Sequence, residues 1–190
     1  MRTIFAFDTA TSVAACALVR NGDVLGERVT TAKDVLAAAD ELVRSAGLGP
    51  RELDALVVGT GPGSFTSIRM GLATARGLSL ALGVPVAGVS TLAAFAGGTP
   101  VIDARRGEVF TSGPRLARPE ELDVAGVRLV GDGAVRYRAV FESAGAVVPP
   151  DDDSAHRPSA HRLVEHAADF GAAEAVEPVY LRAPDARPNR

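Results

Sequence analysis

Residues 59–71 read Gly-Thr-Gly-Pro-Gly-Ser-Phe-Thr-Ser-Ile-Arg-Met-Gly, after the apolar run 53–58 and ahead of a long helical pattern. Three glycines and a proline this close together form a turn that longer side chains would obstruct. The chain must therefore pass from strand through a tight turn into a helix, the repeating unit of an α/β fold. Ser64 stands where an N-cap belongs, its hydroxyl able to accept a bond from an orphan backbone N–H. Gly61, Gly63, Ser64 and Thr66 could cradle a phosphate, because N–H groups and the helix dipole both favour an anion. A bare strand-to-helix turn needs the same residues, and one glycine-rich loop does not decide between the two.

Around this turn the pattern predicts strands at 3–7, 13–19 and 24–29, with Asn21-Gly22 as a hairpin signal. Asp34 is expected to cap a helix reaching Ala46, with Val35, Ala39, Leu42 and Ala46 on one face and Gly47, Gly49 and Pro50 as the stop. The second helix runs from Ser64 to Leu82, ended by Gly83 and Pro85. A strand near Val86 and a short helix capped by Ser90 complete a first lobe, residues 1–98. The strand-strand-strand-helix-strand-helix order matches half of the actin-like (ribonuclease-H-like) fold. A second lobe, residues 99–190, is expected to carry strands at 101–103, 108–110 and 127–130, a helix from Gly131-Asp132-Gly133 toward Phe141, an exposed loop at 147–158 and a closing strand at 179–182.

Composition narrows the function classes. A net charge of −3 argues against a free-standing nucleic-acid binder. The single cysteine, Cys16, lies in an apolar strand pattern and reads as a buried hydrophobe. There is neither a leader pattern nor an apolar run of membrane-spanning length, so the chain reads as cytoplasmic.

Candidate catalytic groups are few. Asp8 ends the first strand, where fold relatives hold magnesium and phosphate, but Ala10 follows where a close approach to phosphate favours glycine. The corresponding place in the second lobe, Asp103-Ala104-Arg105, offers a cation instead of a glycine turn. His156, His161 and His166 are five residues apart, about 140° around a helix, whereas a zinc pair wants four. They read as solvated. The helix 64–82 carries one apolar stripe, Phe65, Ile68, Leu72, Ala75 and Leu82, and a narrow charged one, Arg69 and Arg76. Beyond these lie Met70, Ala73, Gly77, Leu80 and Ala81, without charge. Either the second lobe or a partner protein must cover that face.

The string Gly-Pro-Gly-Ser-Phe-Thr-Ser-Ile-Arg-Met-Gly closely resembles the GPGSFTGxRxG signature of TsaB proteins, with Ser67 in place of a glycine. Asp8-Thr9-Ala10-Thr11, Thr74-Ala75-Arg76-Gly77-Leu78, Asp103-Ala104-Arg105-Arg106-Gly107-Glu108-Val109 and Pro178-Val179-Tyr180-Leu181-Arg182 extend the resemblance along most of the chain. Two loops look shortened: Thr30-Thr31-Ala32-Lys33 runs straight into Asp34, and Thr111-Ser112-Gly113-Pro114 follows Phe110 at once. The resemblance implies a non-catalytic subunit of the bacterial machinery that makes threonylcarbamoyladenosine in tRNA. Its partners would be a TsaD-like transferase and a TsaE-like ATPase, with tRNA reached only through the complex and a homodimer formed when alone. Arg69, Met70, Ala73, Arg76, Gly77 and Leu80 would meet the partner. No cofactor is expected for the chain by itself; ATP or ADP would be held jointly with partners. The alternative is a kinase-like ATP-dependent enzyme or a metallopeptidase of the same fold, which needs a complete magnesium and phosphate constellation or metal ligands.

Overall fold

Alternate residues of the first strand feed two different cores, and this division sets the architecture. A computed structural model describes residues 2–182. Its N-terminal half comprises β1 (Thr3–Asp8), β2 (Ala14–Arg20), β3 (Asp23–Thr30), α1 (Val35–Ser45), β4 (Ala55–Gly59), α2 (Phe65–Leu82) and β5 (Val86–Val89). The strands form one mixed sheet in the order β3-β2-β1-β4-β5, antiparallel on the β1–β2–β3 side and parallel from β1 to β5. Phe5, Phe7, Cys16, Leu18, Leu56 and Val58 point to the face covered by α1 and α2, where they meet Val35, Leu42, Ile68 and Leu72. Ile4, Ala6, Ala15, Ala17, Ala55 and Ala87 point the other way. So much alanine on one face lets the covering layer come close, as a densely packed interior requires.

That layer belongs to the C-terminal half, built from β6 (Thr99–Arg105), β7 (Glu108–Thr111), β8 (Arg115–Ala117), β9 (Leu129–Val130), α3 (Asp132–Arg136), α4 (Arg138–Ser143) and α5 (His161–Glu165). Its sheet has the order β8-β7-β6-β9, with β9 parallel to β6. Ile102, Ala104, Phe110 and Val130 share a core with the alanine face of the first sheet, together with Leu163 of α5. Val101, Val109 and Leu129 turn to a separate core around Phe141. The two sheets are thus joined through buried apolar surface.

Several local expectations are corrected. Residues 179–182 form no strand; the chain bends at Leu181 and Arg182, and the Val179 N–H donates to the Thr60 carbonyl at 2.8 Å. A short strand at Arg115–Ala117 was not legible, because the hairpin that pairs it with β7 turns within three residues, through Gly113 at φ 78°. The helix after Gly131 breaks at Tyr137 into α3 and α4. Asp34 precedes α1, but its carboxylate accepts the Thr31 hydroxyl at 2.5 Å and caps no helical N–H.

The segment 147–158 is not simply exposed, since Val148 and His156 are buried in it. Pro and Asp mark turns, and a turn can still send side chains inward. The Gly131 N–H donates to His156 Nδ1 at 3.1 Å, and Nε2 lies 3.2 Å from the Pro149 carbonyl. One neutral tautomer, with the proton on Nε2, satisfies both. His156→Ala should strand two buried polar groups and cost about 2 kcal/mol, read as a lower denaturant midpoint with the slope unchanged.

Candidate functional site

Between the two sheets lies a cleft of about 760 Å³. One wall is the start of α2. Ser64 Oγ accepts the Ser67 N–H at 3.4 Å and the Ser67 hydroxyl at 3.1 Å, so the serine that replaces the signature glycine joins the cap. Thr9 Oγ1 fastens the same turn by donating to the Ser67 carbonyl at 2.6 Å. The Ser64 N–H donates to the Ala10 carbonyl at 2.8 Å, tying the end of β1 to the helix start. A Cβ on Gly63 would overlap that carbonyl, which is why glycine stands there.

Gly63, Ser64 and Thr66 line the cleft, whereas Asp8 lies beneath the loop and Gly61 is buried within it. Asp8 is 0% exposed. Its Oδ1 accepts the Ala10 N–H at 2.7 Å and its Oδ2 accepts the Thr91 hydroxyl at 2.5 Å. Thr91 Oγ1 in turn accepts the Gly61 N–H at 3.0 Å, and the Thr91 N–H donates to the Gly61 carbonyl. The carboxylate therefore braces the glycine turn from within. Burial raises the Asp8 pKa above its ordinary 3.8, and the bonds from Thr91 and Ala10 offset only part of the effect. A carboxyl whose pKa rises on folding stabilises the fold fully below its unfolded value, and the stability is lost as pH climbs through the folded value. Asp8→Asn cannot titrate. The melting temperature of the natural chain relative to this variant should therefore be higher at about pH 4 than at about pH 7.5, as thermal melts at both values will report.

The opposite wall is the β6–β7 hairpin. Arg105 and Arg106 both adopt left-handed backbone, φ 63° and 57°, ahead of Gly107 at 78°. Such a conformation costs a non-glycine residue roughly 1–2 kcal/mol, and it presents both arginines at the cleft. Asp103 beneath them accepts the Arg105 N–H at 2.9 Å, with guanidinium nitrogens of Arg105 and Arg136 at 3.4 and 3.6 Å. Asp132 Oδ1 accepts the Asp103 N–H. Hydroxyls, helix N–H groups and guanidiniums are thus gathered in one place, which suits hydrogen bonding to an anion.

The histidines lie elsewhere. His156 is internal, and His161 Nδ1 sits 2.8 Å from Ser159 Oγ and 3.1 Å from Glu27 Oε2. Glu27 also accepts the Ser159 hydroxyl and the His161 N–H, so this trio fastens the start of α5 to the edge strand β3. Both the serine and the carboxylate use the same ring nitrogen, unlike a relay in which a histidine bridges them. Cys16 is buried, and burial first, then the charges of Asp8 and Glu27, push its thiol up to about 12. Among the described residues no group of three metal-ligating side chains comes together.

Comparison with known proteins places this arrangement. A family model described as TsaD, tRNA N6-adenosine threonylcarbamoyltransferase, matches residues 30–126. An uncharacterized protein of Mycobacterium tuberculosis is 39% identical over 209 residues, covering 98% of this chain and 94% of that one. The tRNA threonylcarbamoyladenosine biosynthesis protein TsaB of Bacillus subtilis is 34% identical over 122 residues, 57% of this chain and 53% of its own length. The solved structure of YeaZ from Pseudomonas aeruginosa is 26% identical with a TM-score of 0.77, covering 95% of this chain and all of that one. The chain belongs to the TsaB family. Its fold is accordingly the actin-like, ribonuclease-H-like one, two mixed sheets with flanking helices. The match to the Bacillus subtilis TsaB spans about half of that protein.

Within this TsaB-family fold, the far face of α2 is open. Leu80 is 88% exposed, and Met70, Ala73, Gly77 and Ala81 are exposed with it. The described residues of the second lobe do not cover them. Arg69 and Arg76, expected to meet a partner, are also exposed, yet each already holds the C-terminal segment. Arg69 Nε donates to the Tyr180 hydroxyl at 2.9 Å and Arg76 to the Val176 carbonyl at 3.3 Å. Phe65 is a correction to the core stripe: it leaves the stripe and packs at a tilt against Tyr180, centroids 4.8 Å apart, with Arg69 over its ring at 3.9 Å. Sequence reading missed this trio because Tyr180 is more than a hundred residues from Phe65 and Arg69.

Proposed function

We propose that the chain is a non-catalytic subunit of the machinery that makes threonylcarbamoyladenosine in tRNA, and that it supports a TsaD-type transferase by docking through α1 and α2. The observation that carries this reading is the uncovered, uncharged face of α2 in a chain of the TsaB family. Burying Leu80 alone is worth about 1.5–3 kcal/mol, and Ala73 and Gly77 let a second helix approach to about 8 Å. Leu36 of α1 is also exposed. Arg69 and Arg76 supply donors at the edge of the contact, and Met70 adapts to an irregular surface.

The bracing role of Asp8 and the mutual pairing of Asp103 with arginines agree with a supporting subunit. Any ATP or ADP is then held jointly with partners, at the cleft, with Gly63, Ser64 and Thr66 on this chain's side. A TsaE-type ATPase completes the set, tRNA is met through the complex, and the same α2 face makes a weak homodimer when no partner is present. Co-purification with the TsaD-type protein of the same organism, followed by sedimentation, tests the reading. A discrete complex is expected. Failure to associate at tens of micromolar, or steady hydrolysis of ATP or peptides by the isolated chain, would overturn it.

A further inference from the structure

The C-terminal segment 176–182 bridges both halves of the molecule with few regular backbone bonds. It crosses the glycine turn, where Val179 bonds Thr60, and ends where Arg182 donates to the Ala104 carbonyl at 2.7 Å and pairs with Glu108. Val179, Tyr180, Leu181 and Arg182 form an edge of the interlobe cleft. Its side-chain anchors on α2 are Arg76, at Val176, and Arg69, at Tyr180, exposed side chains that flank the uncharged face of that helix. One pair of guanidiniums therefore serves two surfaces.

We propose that residues 176–182 are a latch along the cleft, held shut by Arg69 and Arg76, and that a partner seated on α2 loosens it by engaging those guanidiniums. Occupancy of the helix face is thereby coupled to the order of the cleft edge formed by Val179, Tyr180, Leu181 and Arg182. The coupling rests on the docking surface proposed above, but the latch itself is a property of the isolated chain. Segments with few buried backbone bonds open at low free energy, and two exposed side-chain bonds together account for a factor of roughly ten in such an opening.

Hydrogen exchange followed by mass spectrometry tests both halves. In the isolated chain, R69A/R76A should speed exchange at 176–182 by about tenfold while the sheets keep their protection. Arg44→Ala, an exposed arginine of α1 paired with Asp40, should change nothing there. A cysteine in place of Leu181, which is half-buried against the core between the two sheets, provides the cleft-edge readout, since Cys16 is buried. Its alkylation should quicken in R69A/R76A, and Tyr180→Phe should reproduce part of the effect without touching α2. Unchanged exchange and alkylation in R69A/R76A would overturn the latch. With the TsaD-type protein added, protection of α2 together with faster exchange at 176–182 is the expected pair. Protection of α2 with slowed or unaltered exchange at 176–182 overturns the coupling. An unprotected α2 overturns the docking surface instead, leaving the latch to the isolated-chain result.

Discussion

Gly77→Glu is expected to weaken binding of the TsaD-type partner at least about a hundredfold while leaving the isolated chain as stable or slightly more so. The two effects have separate physical origins. A Cβ at position 77 would meet nothing within 4 Å, so the monomer has room for the new side chain. Glycine in a helix interior costs about 0.8–1 kcal/mol relative to alanine, and glutamate is nearly as good a helix former as alanine. At an interface the same carboxylate would hold the helices apart and bury an unpaired charge. A pull-down alongside a thermal melt reads both. Undiminished binding would mean that the partner sits elsewhere, and a falling melting temperature would mean that the face is packed within the monomer.

Gly63→Ala should do the reverse, damaging the fold itself by about 3 kcal/mol or more. The added methyl would occupy the place of the Ala10 carbonyl and dislodge the Ser64 bond to it. Since Ser64 caps α2 and Thr9 grips the following turn, the disturbance spreads to the helix start. Equilibrium unfolding in denaturant would show it, with Gly77→Ala as the comparison in which a methyl is harmless. Equal stability of the two variants would mean that the glycine turn does not depend on the close approach of Gly63 to Ala10.

These two glycines also show what a sequence can and cannot tell. Gly63 lies in a local pattern of strand, turn, cap and helix, and every element of that pattern appears where periodicity puts it. The apolar stripe at Ile68, Leu72 and Ala75 was legible for the same reason. For the far face, the letters at Gly77 left two covers open, because burial against another lobe depends on contacts between distant residues. In the structure the described residues of the second lobe leave Leu80 and its neighbours uncovered. Tyr180 packing against Phe65, His156 bonding Gly131 and Glu27 capping α5 are likewise contacts across 25 to more than a hundred residues of chain. None has a local periodicity to betray it. Asp8 was recognised as the acid at the strand end, but its burial beneath the loop follows from Thr91 and Gly59, which only the fold brings to it.

The central claim is that this chain supports a transferase without performing chemistry of its own. It is tested most directly by measuring threonylcarbamoyladenosine formed in tRNA by the TsaD-type protein of the same organism, with its other partners and substrates supplied and this chain added or withheld. Modification should fall to background without the chain, return in proportion as it is added up to equimolar amounts, and be absent when the chain replaces the transferase. Equal modification in its absence, or formation of the nucleoside by this chain alone, would contradict the account.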